Sequence, residues 1–100
     1  MRRAPDAVIC GNDVMAIGCI DAARFDFDLA VPAKLSVVGF DGVGPSVWSS
    51  YRLTTVRQPL ERMAEATITL LMDRVETPGL PPEKRVLSGQ FVEGASARLG

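Results

Sequence analysis

The sequence predicts an α/β fold built on a parallel sheet, and three observations carry that prediction. Residues 35–40, Leu-Ser-Val-Val-Gly-Phe, are a short apolar run with β-branched members, suited to a strand buried on both faces. A second apolar run, Ala7-Val8-Ile9-Cys10, is separated from it by a helical stretch. Residues 7–40 therefore read as one β-α-β unit, with the right-handed crossover such units adopt. Third, Leu60, Met63, Ala64, Thr67, Ile68, Leu71 and Val75 share one stripe of a helix expected over residues 59–75.

Each element has a local cause. Gly11 allows a tight exit from the first strand, and Asn12 is a favoured N-cap for a helix over residues 13–25. Ala16, Ile17, Ile20 and Ala23 recur at helical spacing and make its apolar face, while Asp13 and Asp21 are expected in more polar surroundings. Residues 26–32 are a connection, and Pro32 disfavours helix in the residue before it. After the strand, Asp41-Gly42-Val43-Gly44-Pro45 is turn chemistry, and residues 46–51 read as one loose helical turn carrying Trp48.

Residues 53–57 are β-prone and form a third strand, ending near a proline, Pro59, that suits a helix start. Glu61 and Arg74 complement the two ends of the helix dipole. Thr77-Pro78-Gly79-Leu80-Pro81-Pro82 stops that helix. Residues 84–88 and 91–93 are expected as two short strands broken at Gly89.

One hundred residues make one small domain or a piece of a larger one. With a net charge of −1 and no basic stripe, the chain lacks the electrostatic footprint of a nucleic-acid-binding surface; Arg2-Arg3 reads as a solvated tail. No apolar run approaches the roughly twenty residues of a membrane span, and no signal-type apolar segment follows the start. Cys10 and Cys19 come without histidine, so a zinc site is not expected. Both suit packing as small hydrophobes in a reducing cytoplasm, and no cofactor is expected.

The absence of histidine removes Ser-His-Asp and Cys-His catalysis, and no enzyme activity is expected. The glycines of residues 39–44 do not open a long helix, because Pro45 and an aromatic loop follow, so a phosphate cradle fits poorly. What remains is a set of carboxylates and amides. Asp13 and Asp41 each follow a predicted strand of the same unit, so both belong along one rim of the sheet, where ligands of open α/β sheets collect. A carboxylate accepts several hydrogen bonds and suits a polyol. For Asp13 the plainer role is a first-turn acid favoured by the helix dipole, and for Asn12 a simple cap. Asp41 is not needed for packing. Gln58 offers both donors and acceptors just before a helix.

Three blocks, Cys10-Gly11-Asn12-Asp13-Val14-Met15-Ala16-Ile17-Gly18, Ser36-Val37-Val38-Gly39-Phe40-Asp41-Gly42 and Leu53-Thr54-Thr55-Val56-Arg57-Gln58-Pro59, resemble in order and spacing the effector-binding domain of the lac/gal (LacI/GalR) repressor family. The resemblance implies a type I periplasmic-binding-protein-like fold, of which this chain is a C-terminal portion. It assigns residues 7–56 and 90–100 to the C-terminal subdomain and 59–88 to a segment of the N-terminal one, with crossings around residues 57–59 and at Gly89. It implies effector contacts at Asp41, Asn12 and Gln58, and Asp13 is taken as a candidate contact with them. It implies a dimer surface on the first helix and following loop, with Ile17, Ile20, Trp48 and Tyr51 as the candidate contacts.

The function so implied is effector binding, of a sugar or sugar derivative, and homodimerisation within a cytoplasmic transcriptional regulator. Operator DNA would be reached only through a helix-turn-helix that these residues do not include. The alternative is part of a periplasmic sugar-binding transport protein, and the Leu-Thr-Thr-Val-Arg-Gln-Pro block favours the regulator. Family members are much longer, so the chain reads as an excised piece or a truncated reading frame. Two positions depart from the pattern: Asp28 replaces a usual glycine, and Gly94 stands where many members carry arginine.

Overall fold

The computed structural model describes residues 5–42 and 44–99, so Arg2-Arg3 and Val43, the latter inside the expected turn, lie outside the described residues. The described residues up to 57, together with 91–99, form one compact unit, and residues 58–90 form another.

In the first unit, strand β1 (Ala7–Ile9) runs parallel to β2 (Ser36–Val38), with Ala7 opposite Ser36 and Ile9 opposite Val38. Between them lies helix α1 (Asp13–Asp21), which widens into a single π-helical turn, Ala22–Asp26. The predicted β-α-β unit is therefore present, its helical stretch ending within a residue of expectation. Asn12 caps it: the backbone there is extended, and its side-chain oxygen accepts the Met15 N–H at 2.9 Å.

The sheet extends from β2 to β3 (Thr55–Arg57), which pairs with β4 (Gln90–Val92). Val38 lies opposite Thr54 and Asp41 opposite Arg57, both in parallel sense. Gly39 N–H donates to Thr54 C=O at 3.0 Å and Asp41 N–H to Val56 C=O at 2.9 Å. The chain thus stays hydrogen-bonded to the third strand for three residues past the end of β2.

The core sits between α1 and this sheet. Ala16, Ile20 and Ala23 come from the helical face; Cys10, Val31, Leu35, Val37 and Leu53 meet them, with Tyr51 and Cys19 packed at the margin. Cys10 has the packing role expected of it. Ser36 and Val37 are buried and Val38 is half-buried, as a largely covered strand requires. Asp28 takes a φ of +53°, so aspartate here adopts the left-handed conformation that glycine usually supplies.

Ser96 closes the unit. It is fully buried; its hydroxyl donates to Val37 C=O at 2.6 Å and accepts Thr54 N–H at 2.9 Å, while its carbonyl accepts Val37 N–H at 2.8 Å. One residue thereby satisfies backbone groups of β2 and of Thr54, the residue preceding β3. Arg98 continues the seam, its Nη1 reaching Ala33 C=O at 2.9 Å and its Nη2 Asp6 C=O at 3.1 Å.

The second unit holds α2 (Leu60–Glu76), opened by Pro59, with Glu61 in its first turn and Arg74 in its last. No residue of α2 is buried, and its apolar stripe is open: Leu60, Ile68, Leu71 and Val75 are all more than half exposed. Arg74 donates to Pro81 C=O, and Gly79, with φ of +94°, turns the chain after the helix. Residues 84–88 are not a strand, contrary to the sequence expectation. A strand needs a neighbour for its backbone donors and acceptors, and α2, the helix of this unit, uses its own internally.

Candidate functional site

The carboxyl ends of β1 and β2 meet at one hydrogen bond. Asp13, the first residue of α1, presents Oδ2 to the Gly42 N–H at 2.7 Å, across 29 positions of sequence. Its Oδ1 accepts the Thr55 hydroxyl at 2.7 Å. Asp13 has no exposed surface. The expectations that it faces polar surroundings and touches the effector are corrected: the side chain is fully buried, and its charge is accommodated by a hydroxyl, a backbone N–H and the positive end of α1. It lies beneath the rim of the sheet.

Asp41 lies on that rim and is half-buried. Its φ is +131° and that of Gly42 is +76°, two successive residues in territory that favours glycine. The Asp41 N–H is bound to Val56 and the Gly42 N–H to Asp13, so the turn is gripped from both sides. A Cβ on Gly42 would stand 3.0 Å from the Cβ of Arg57 and 3.1 Å from its Cα, so the close approach of β3 also calls for glycine. Asn12 and Asp41 thus flank the Asp13–Gly42 bond from its two ends. Gln58 opens the second unit; it is half-buried, and its carbonyl accepts the Leu60 N–H at 2.9 Å at the start of α2.

Of the four residues expected at an interface, Ile20 is fully buried in the core and has no surface to offer a partner chain. Its helical position places it inward with Ala16 and Ala23, and that part of the expectation is corrected. Ile17 and Tyr51 are half-buried, and Trp48 is 60% exposed. The loop bearing Trp48 contains a short 3-10 turn, Gly44–Val47, and is tied to the helical layer. Tyr51 Oη donates to Asp21 Oδ2 at 3.1 Å, and Arg24 donates to Ser50 C=O and, at 3.3 Å, to Val31 C=O. The Asp21 carboxylate, by hydrogen bond first, then desolvation and its own charge, pushes the Tyr51 phenol above its ordinary value, against a smaller opposite pull from Arg24. The Cys10 thiol is also raised, by burial first and then by neighbouring Cys19.

Sequence reasoning missed Thr55, Gly42 and Ser96, whose partners lie 29 to 59 residues away. Among the described residues no group of three or more metal-ligating side chains is present, and no helix is long and apolar enough to cross a membrane.

Residues 1–97 match the family described as periplasmic binding protein-like domain. The chain is 37% identical over 99 residues to the HTH-type transcriptional repressor PurR of Yersinia enterocolitica, covering 99% of this chain and 29% of that protein. Among solved structures, an uncharacterized protein from Actinobacillus succinogenes superposes with a TM-score of 0.86 at 33% identity, over 98% of this chain and 35% of that one. A LacI family transcriptional regulator from Lactobacillus casei with bound sucrose superposes at 0.76 and 30% identity, over 93% of this chain and 34% of that one. The chain therefore spans about a third of the length of the proteins it matches. It belongs to the periplasmic binding protein-like domain family, and is similar to one stretch of transcriptional regulators of the LacI type.

Proposed function

We propose that this chain is the part of a LacI-type regulator that contributes one wall of an effector site, with Asp41 as its principal contact. The observation that carries the reading is Asp41 itself. It is a carboxylate at the carboxyl edge of the sheet, half-buried and held in a left-handed conformation by backbone bonds on both sides. Strained backbone at a ligand rim is kept only where surrounding structure over-determines it. A charged acceptor so fixed suits neighbouring hydroxyls of a sugar or sugar derivative. The sucrose held by the Lactobacillus casei regulator is consistent with that class. Asn12 and Gln58 are proposed as further contacts, the first through its side-chain amide N–H groups, since its oxygen serves the helix cap.

The division at residues 57/58 and 90/91 supports assigning the first unit to the C-terminal subdomain and the second to part of the N-terminal one. Ile17, Trp48 and Tyr51 are proposed on a homodimer surface in the cytoplasm, and operator DNA is contacted by a module carried elsewhere in the gene product. The relatives are repressors and regulators, which favours this reading over a transport protein and over an enzyme. Effector binding changes operator affinity only if it favours one conformation of the regulator over another. The test is a panel of sugars including sucrose, scored by thermal stabilisation of the intact protein and by operator retention in a mobility shift. A sugar that moves both supports the proposal; a purine or other non-polyol doing so in place of every sugar contradicts it.

A further inference from the structure

We infer that Asp13 is a positioning residue for Asp41: its buried carboxylate pins the Asp41–Gly42 turn to the third strand. The inference rests on the reading of Asp41 as an effector contact. Both oxygens of Asp13 are committed, one to the Gly42 N–H and the other to the Thr55 hydroxyl, each at 2.7 Å. The first bond fixes the peptide that follows Asp41, and the second ties the same carboxylate to β3, whose Val56 carbonyl holds the Asp41 N–H at 2.9 Å. The turn is thus clamped in a closed loop of four segments: Asp13, Gly42, Asp41 and β3. Gly39 makes room for it, since a Cβ there would run into Asp13 Oδ1 and come within 2.8 Å of Leu53.

Two successive positive φ values relax toward ordinary conformations unless they are held. A charge-assisted bond to a carboxylate with no solvent access is a strong and rigid way of holding them. Fixing Asp41 before ligand arrives removes the ordering cost from binding. The chemistry calls for a carboxylate: asparagine offers one acceptor oxygen, so one of the two partners loses a charged acceptor.

The test is hydrogen exchange of the intact protein without ligand, read by mass spectrometry at residue resolution. The Gly42 amide is compared with the Cys10 amide, which is bonded to Val38 C=O in the sheet. In Asp13→Asn the Gly42 amide should exchange faster by roughly tenfold or more beyond any change at Cys10. Thr55→Val, measured the same way, gives a second reading should Asp13→Asn not fold, and Thr55→Ser should restore wild-type exchange. Unchanged Gly42 exchange in Asp13→Asn and Thr55→Val, or Gly42 and Cys10 accelerating by the same factor as in general loosening, would overturn the inference. Because no ligand is involved, an Asp41→Ala protein with undiminished sugar affinity would remove the effector reading and leave this result standing.

Discussion

Thr55 donates its hydroxyl to Asp13 Oδ1 at 2.7 Å, joining residues 42 positions apart, and neither has more than 1% of its surface exposed. Thr55→Val keeps the shape and removes the donor, leaving a buried charged acceptor short of one partner. The expected loss is about 2–3 kcal/mol of stability by denaturant unfolding, recovered in Thr55→Ser. A Val variant as stable as the parent would show that the charge at Asp13 is satisfied without Thr55.

Gly39→Ala should destabilise through overpacking. The added methyl meets Asp13 Oδ1, the Leu53 side chain at 2.8 Å and the Ala16 Cβ at 3.2 Å. Repacking a well-filled site of this kind costs about 1–3 kcal/mol. An alanine variant that melts with the parent would mean these neighbours move aside freely.

Gly94→Ala should cost more than Gly39→Ala, because the obstruction there is backbone. A Cβ would fall on the Arg52 carbonyl oxygen and within 2.6 Å of the Leu53 carbonyl group, while the Gly94 N–H is held by Thr54 Oγ1 at 3.0 Å. A side chain as large as arginine has no room at this position in this arrangement. An expected loss of about 3 kcal/mol or more is readable by thermal unfolding. A neutral effect would require the segment around residue 94 to sit farther from residues 52–53.

Tyr51 is the only tyrosine of the chain, so its ionisation can be followed by ultraviolet absorbance. The phenol should titrate above 10.0, because the Asp21 carboxylate accepts its proton in a hydrogen bond and opposes a second negative charge. Asp21→Asn should bring it back toward the ordinary value. Since the folded-state value is the raised one, its contribution to stability is complete below about pH 10 and is lost as pH rises through the folded value. Titration of the parent at the ordinary value would break this link between α1 and the following loop.

The parts of this architecture that were legible in sequence are those with local causes. The Asn12 cap, the β-α-β unit over residues 7–40 and the α2 periodicity all follow from neighbours within a few positions. The strand expected over residues 84–88 failed because strand formation depends on a partner, which local propensity does not report. A lone carboxylate such as Asp13 is expected in polar surroundings; the hydroxyl and amide that allow its burial come from residues 42 and 29 positions away. Ser96 carries no local signal at all, yet it joins β2 to the residue preceding β3. For the candidate site, the rim position of Asp41 was readable from the strand that precedes it, while the clamp beneath it was not.

The central claim, that Asp41 is the carboxylate contact for a polyol effector, is tested most directly by calorimetric titration of the intact protein and its Asp41→Ala variant with sucrose and the other sugars of the panel. Loss of a charged acceptor at the ligand should weaken binding by about tenfold or more, with the melting temperature of the ligand-free protein little changed. Equal affinity of the two proteins for the sugar that binds would contradict the account.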